Sequence, residues 1–291
     1  ACLYPGHSRH KTVYFYQRHI ASDLELAAYL GTIENGQSFS ELAGDRGVGT
    51  FGGSEDHTAI LCSELGQLGQ FSYCPVRFER RIGVPADHIL ALGFSGVVAE
   101  KTGAAQAHYN RAAGLVAAIV AAWREGTGCD EVYLADALAS GPEAANRLRD
   151  VLADVKDGPY TAADLLTRLN HFELENGEVL GPAGDALAAG DLAHFGELVD
   201  RSQQLTTDLL QNQVPQTVDL ATQARAAGAV AASAFGAGFG GSVWALVPTT
   251  EAEDFLAAWR SAYAATHGAV APRAAFFLTQ AGPAAFALEE G

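Results

Sequence analysis

The feature that most constrains this chain is a glycine run near its end, "AASAFGAGFGGSVWALVP", residues 231–248. Gly236, Gly238 and Gly241 satisfy the G-x-G-x-x-G spacing of a nucleotide loop. In a dinucleotide-binding fold such glycines follow a strand and open a helix, whose N-terminus then holds the pyrophosphate. The flanks here predict a different order. Upstream, "TQARAAGAVAASAF" is Ala-rich and strongly helix-forming. Downstream, "SVWALVP" is short and apolar, stops at proline and reads as a strand. Helix, loop, strand is not the dinucleotide order. What remains is either a ligand loop of another kind or a glycine turn packed closely between two elements.

Composition narrows the function classes. The chain has 291 residues, 48% hydrophobic and 18% charged, enough for one large or two medium domains. No apolar run reaches the roughly 18 residues of a membrane helix, so no membrane role is expected. A net charge of −16 with three lysines (Lys11, Lys101, Lys156) disfavours nucleic acid as a partner, because phosphate neutralisation needs clustered cations. An anionic substrate must be held by backbone N–H groups, arginines or a metal. Cys2, Cys62, Cys74 and Cys129 are scattered and form no C-x-x-C pair, and no signal peptide stands in "ACLYPGHSRHK", so a reducing cytoplasm is the expected compartment. The chain contains no methionine and begins with alanine. That fits a trimmed start in an Ala-rich composition, or the later part of a longer protein.

Periodicity gives the organisation. "LELAAYLGTIEN" predicts a helix; "GQFSYCPVRFERRIGVP" and "HILALGFSG" predict strands. "AHYNRAAGLVAAIVAAW" keeps helical spacing through Val116, Ile119, Val120 and Trp123. Residues 125–160 are rich in turn signals and read as a connection between domains. A helix capped by Asp191 follows, with Leu192, Phe195, Leu198, Leu205 and Leu209 on one face. Another helix, "EAEDFLAAWRSAYAATHG", and a strand near "RAAFFLTQAG" close the chain. The reading is α+β, divided into residues 1–124 and 125–291.

Several motifs fail. "GVVAEKTG" offers Lys101-Thr102, but Glu100 stands where a Walker loop needs glycine. No H-E-x-x-H occurs, the nine histidines never pair at ligand spacing, and "GFSGV" lacks the spacing of a nucleophile elbow. No metal site is assigned. Lone histidines such as His88 and His194 read as surface or helix-face residues. "VGTFGGSEDHTAIL" offers more: Gly49, Gly52 and Gly53 lead to Ser54, a good N-cap, with Glu55 and Asp56 in the first helical turn. Both acids can simply complement the helix dipole. Alternatively, a carboxylate there, beside a flexible backbone, can take a proton from a substrate hydroxyl.

Taken together, "VGTFGGSEDHTAIL", "SGVVAEKTGAAQAHYNRAA", "GDLAHFGELVDRSQQLT" and "GAVAASAFGAGFGGSVWALV" resemble, in order and rough spacing, the galactokinase branch of the GHMP small-molecule kinases. The resemblance covers roughly residues 25–290 and is weaker over 125–160. It implies the two-domain GHMP kinase fold, here a partial N-terminal α/β domain with a ferredoxin-like C-terminal domain. It also implies transfer of the γ-phosphoryl of ATP, with Mg2+, to a sugar's anomeric hydroxyl, galactose in the first place. Asp56 matches the family's catalytic carboxylate and Gly53 lies in its glycine motif. Tyr109 matches the sugar-contacting tyrosine, although a core aromatic on an amphipathic helix would look the same. Gly236, Gly238, Phe239, Gly240 and Gly241 match the loop against the substrate and phosphate region.

The departures are specific. His57 stands where galactokinases commonly carry glutamine, and Ser54-Glu55 replaces the usual residues before the aspartate. The early arginine- and Glu-His-bearing segment and the Gly/Ser-rich phosphate loop with its magnesium ligand have no match; "YPGHSRH" shares only Pro-Gly and a histidine. The expectation is therefore a kinase lacking its N-terminal part, with little activity alone. A non-catalytic sugar-binding relative and a GHMP kinase for another sugar derivative are the rivals. Nothing in the sequence speaks to the oligomeric state.

Overall fold

The computed structural model describes residues 16–99, 106–236 and 238–286. The described residues divide into two compact units, 16–81 with 281–286, and those between 82 and 280.

In the first unit, helix α1 (Asp23–Asn35) starts where Ser22 accepts the Glu25 N–H and ends at Gly36, which takes the left-handed conformation at φ 79°. Helix α2 (Glu55–Cys62) packs on α1. Gly31 makes that packing close: a Cβ there would sit 2.9 Å from the Ser54 Cβ. Strands β1 (Gln67–Ser72) and β2 (Arg77–Gly83) form a two-stranded sheet, in which Phe71 and Phe78 meet edge to face.

The second unit is built on a four-stranded antiparallel sheet. Its strands are β3 (His88–Phe94), β4 (Ala231–Ala234), β5 (Ser242–Pro248) and β6 (Ala275–Thr279), in the order β4-β5-β3-β6. With one crossover between β3 and β4 and a helix between β5 and β6, this is a ferredoxin-like strand order, to which β3, ahead of residue 125, contributes a central strand. Alternation along β5 assigns the faces. Val243, Ala245 and Val247 pack with Leu220, Ala224, Trp259 and Tyr263, on helices α9 (Pro215–Ala226) and α10 (Ala252–Thr266). Leu246 and Trp244 pack with Leu187, Phe195 and Val199, on α7 (Gly181–Ala189) and α8 (Leu192–Leu205).

Two sequence expectations are corrected. Residues 125–160 form packed helices, not a connection. Helix α3 (Gln106–Thr127) is followed by α4 (Leu134–Ala139), α5 (Ala144–Ala153) and α6 (Ala162–Leu174). Leu148 and Leu152 are fully buried and Leu134 nearly so, in one core with Ile119 and Trp123. The turn signals separate short helices, each too short to stand without that core. Second, the Ala-rich stretch before the glycine run is not one helix. Helix α9 stops at Ala226, Gly228 turns the chain at φ 107°, and residues 231–234 pair with β5. Tertiary pairing overrides the helix propensity of alanine, whose small side chain suits a strand pressed between helix layers.

Candidate functional site

Asp56 and Gly53 belong to the first unit. Asp56 is exposed in the first turn of α2, next to the equally exposed Glu55. Ser54 occupies the N-cap position, as the sequence suggested, but its side chain makes no capping hydrogen bond. It is instead buried, and its carbonyl accepts the Thr58 N–H and, at 2.7 Å, the Thr58 hydroxyl. The preceding loop is tied to α1: Asn35 Nδ2 donates to the Gly52 carbonyl at 2.9 Å, and the Thr50 hydroxyl donates to Glu34 Oε1 at 2.9 Å. The other Glu34 oxygen is 3.8 Å from His57 Nε2, a separation for an ion pair when the ring is protonated but not for a hydrogen bond. Tyr73 lies close by; burial first, then the negative charge of Glu55, pushes its hydroxyl up to about 12. Gly53 is exposed, and a Cβ there would meet nothing within 4 Å.

Tyr109 and the glycine loop belong to the second unit. The loop joins the adjacent strands β4 and β5, so the order around it is strand, loop, strand. The dinucleotide arrangement is still excluded, because no helix opens after the glycines. Positive φ holds at each described residue from 236 to 241: 76° at Gly236, 82° at Gly238, 131° at Gly240 and 82° at Gly241, with Phe239 also left-handed at 61°. Ala237 and the Lys101-Thr102 pair lie outside the described residues.

Three segments grip this loop. The Phe239 N–H donates to the Asn212 carbonyl, and a Cβ on Gly238 would collide with that oxygen. The Gly241 N–H donates to the Val97 carbonyl at 2.8 Å, while the Ser95 N–H donates to the Gly241 carbonyl at 2.9 Å. A Cβ on Gly240 would lie 2.8 Å from the same Val97 oxygen. Third, the first turn of α3 reaches the loop, with the His108 and Phe239 rings 6.4 Å apart. Tyr109, half-buried, is the next residue on that turn. Further along α3, Arg111 pairs at 2.7 Å with Asp164, which is itself part of the capping box that starts α6. The two motifs of this unit, remote in sequence, therefore meet.

Sequence reasoning missed Asn212, Ser95 and His108. The polar run "QNQVP" before a helix-opening proline was a usable signal for the first. The other two act through the backbone or a ring contact that no spacing rule marks. Among the described residues no group of three or more His, Cys, Asp or Glu is arranged to hold a metal, and no helix is long and apolar enough to cross a membrane.

Comparison with known proteins bears on this geometry. Residues 185–265 match the family "GHMP kinases C terminal". A galactokinase of Chloroflexus aggregans is 36% identical over 146 residues, 48% of this chain and 36% of that protein. One of Chloroflexus aurantiacus is 35% identical over 144 residues, with the same shares. The matched region thus spans about a third of the length of these relatives. The structure of Lactococcus lactis galactokinase complexed with galactose matches with a TM-score of 0.67 at 23% identity, over 90% of this chain and 60% of that one. At that identity the likeness establishes the fold.

Proposed function

We propose that this chain, a GHMP kinase by its C-terminal domain and its galactokinase-like sequence, serves ATP-dependent phosphorylation of a sugar at its anomeric hydroxyl, with galactose as acceptor and galactose 1-phosphate as product. The observation that carries this reading is the meeting of the Tyr109 turn with the glycine loop through His108 and Phe239. It brings together two segments that resemble galactokinase motifs and leaves Tyr109 half-buried, able to stack on a sugar face.

In this reading Asp56 accepts the proton of the anomeric hydroxyl while that oxygen bonds to the γ-phosphorus and the bridge to the β-phosphate breaks. Its exposure on a helix tied to α1 suits a group that must meet a ligand without moving far. Gly53 and Gly236 both face open space where a Cβ would stand, so a sugar or phosphate oxygen can approach their backbone. ATP with Mg2+ supplies the phosphoryl group and neutralises charge. Magnesium bound with ATP takes most of its ligands from phosphate and water.

The test is a coupled ADP-release assay with galactose, glucose and galactosamine, run beside calorimetric titration of the same sugars. In the full-length protein, galactose-dependent ADP release is expected, and Asp56→Ala should lower it by about 10²- to 10⁴-fold. Galactose binding without ADP release would instead support a sugar-binding relative. If the protein neither releases ADP nor prefers galactose, the reading fails.

A further inference from the structure

The turn after β3 that grips the glycine loop is itself gripped from below. Ser95 is fully buried, and its carbonyl accepts the Tyr263 hydroxyl at 2.6 Å. Tyr263, on α10, is also fully buried. Its ring lies 4.9 Å from that of His267 and meets Phe276 at 5.9 Å, edge to face. His267 Nε2 pairs with Asp219 Oδ2 at 2.7 Å, which ties α9 to the end of α10. Across the turn, the Val97 N–H donates to Ser95 Oγ at 3.2 Å, and Val97 then takes the Gly241 N–H. Gly96 allows the turn to sit on the chain beneath: at φ 76°, a Cβ there would lie 2.6 Å from the Val270 carbonyl oxygen.

We propose that Tyr263 is the positioning residue of the glycine loop. Its hydroxyl fixes the Ser95 carbonyl, the Ser95–Val97 turn then sets Gly241 through two backbone hydrogen bonds, and no side chain of the loop takes part. The geometry requires a phenol at this place. Phenylalanine keeps the packing against Phe276 and His267 but leaves a buried carbonyl without its donor. Burial, then the charge of Asp219, pushes the Tyr263 hydroxyl up to about 12, so it stays protonated and donating through the physiological range. Its importance for catalysis rests on the kinase reading of the loop; its hold on the loop does not.

Amide hydrogen exchange on Tyr263→Phe, with and without galactose and a non-hydrolysable magnesium–ATP analogue, separates the two. In the variant the Phe239 and Gly241 amides should exchange about tenfold faster, while the ladder between β3 and β5 keeps its protection. Ser95→Ala, which removes the hydroxyl's two bonds with the Val97 N–H and carbonyl but leaves the Tyr263 bond, should show the same locality to a smaller degree. Ligand should slow exchange of the loop in the parent protein and bind about tenfold more weakly to the variant. Unchanged exchange at Gly241, or equal acceleration throughout the sheet, overturns the proposal. Local acceleration with no ligand protection in either protein upholds the hold on the loop and removes the kinase reading.

Discussion

A Cβ added at Gly238 would collide with the Asn212 carbonyl oxygen and come within 2.8 Å of its side-chain amide, whereas one added at Gly53 would meet nothing within 4 Å. Both residues lie in glycine-rich segments that look alike as text. In the loop between β4 and β5, the protein itself requires glycine at 238 and 240, because neighbouring backbone fills the space and φ is positive. Ahead of α2, the close approach has been moved to Gly31, one layer back, and Gly53 is left facing outward. Glycine is thus structural in one loop and, at 53, unexplained by the fold. The second case is the one that invites a ligand.

The largest test of this contrast is Gly238→Ala. It combines a left-handed φ with a clash against a carbonyl, and should cost about 3 kcal/mol or more. For a unit of this size, that lowers the melting transition by on the order of 10 °C, readable by calorimetry. Gly31→Ala should cost about 1 kcal/mol, since overpacking against Ser54 outweighs the gain in helix propensity. Urea titration measures it. If Gly31→Ala proved neutral, the loop before α2 would be looser than its contacts imply.

Acid offers a further separation, because His171 lies in the second unit alone. It is buried beside Arg168, whose Nη1 is 3.2 Å from its Nδ1. Burial, then the charge of Arg168, lowers it to about 4 from the ordinary 6.5. Between those pH values the unfolded chain holds a proton that the folded chain does not. Stability therefore falls as pH drops through that window, by up to about 1.4 kcal/mol per pH unit, and the second unit should open first. His171→Gln should flatten the slope in urea titrations at stepped pH. The smallest effect on folding is Gly53→Ala, which should stay within about 0.5 kcal/mol. Its galactose affinity should nevertheless fall by about tenfold if a sugar lies against this backbone. Unchanged affinity would make Gly53 as silent in function as it is in packing.

How far the sequence could be read follows from the same physics. The helices at 23–35 and 192–205, and the strands at 242–248 and 275–279, were legible because the helix at 192–205 keeps an apolar face and the strands are short apolar runs bounded by turn signals. Asp191 caps its helix as expected, accepting the His194 N–H at 3.1 Å. The strand at 231–234 was not legible, because four small residues carry no period and alanine points to helix. Its pairing with β5 is decided by partners distant in sequence. The position of Asp56 in a first helical turn could be read from Ser54 onward, yet the burial of Ser54 against Gly31 could not, since only the contact of two helices creates it. The hold of Tyr263 on Ser95, 168 positions away along the chain, lies beyond any local pattern.

The β4–β5 connection has a consequence for which changes of length the chain can accept. The loop leaves the sheet at Ala234, paired with Val243, and its first amide, at Phe235, still bonds the Ser242 carbonyl at 3.3 Å. Gln203 holds the outgoing end through Ser233 and the Ala234 N–H, so the ladder is not free to slide. Removing one loop residue would have to be absorbed among Phe235–Gly241 or passed to β4, where a one-step slip would exchange Ala231 and Ala232 between the two helix layers. The number of residues in the loop is therefore as much a part of its specification as their kind.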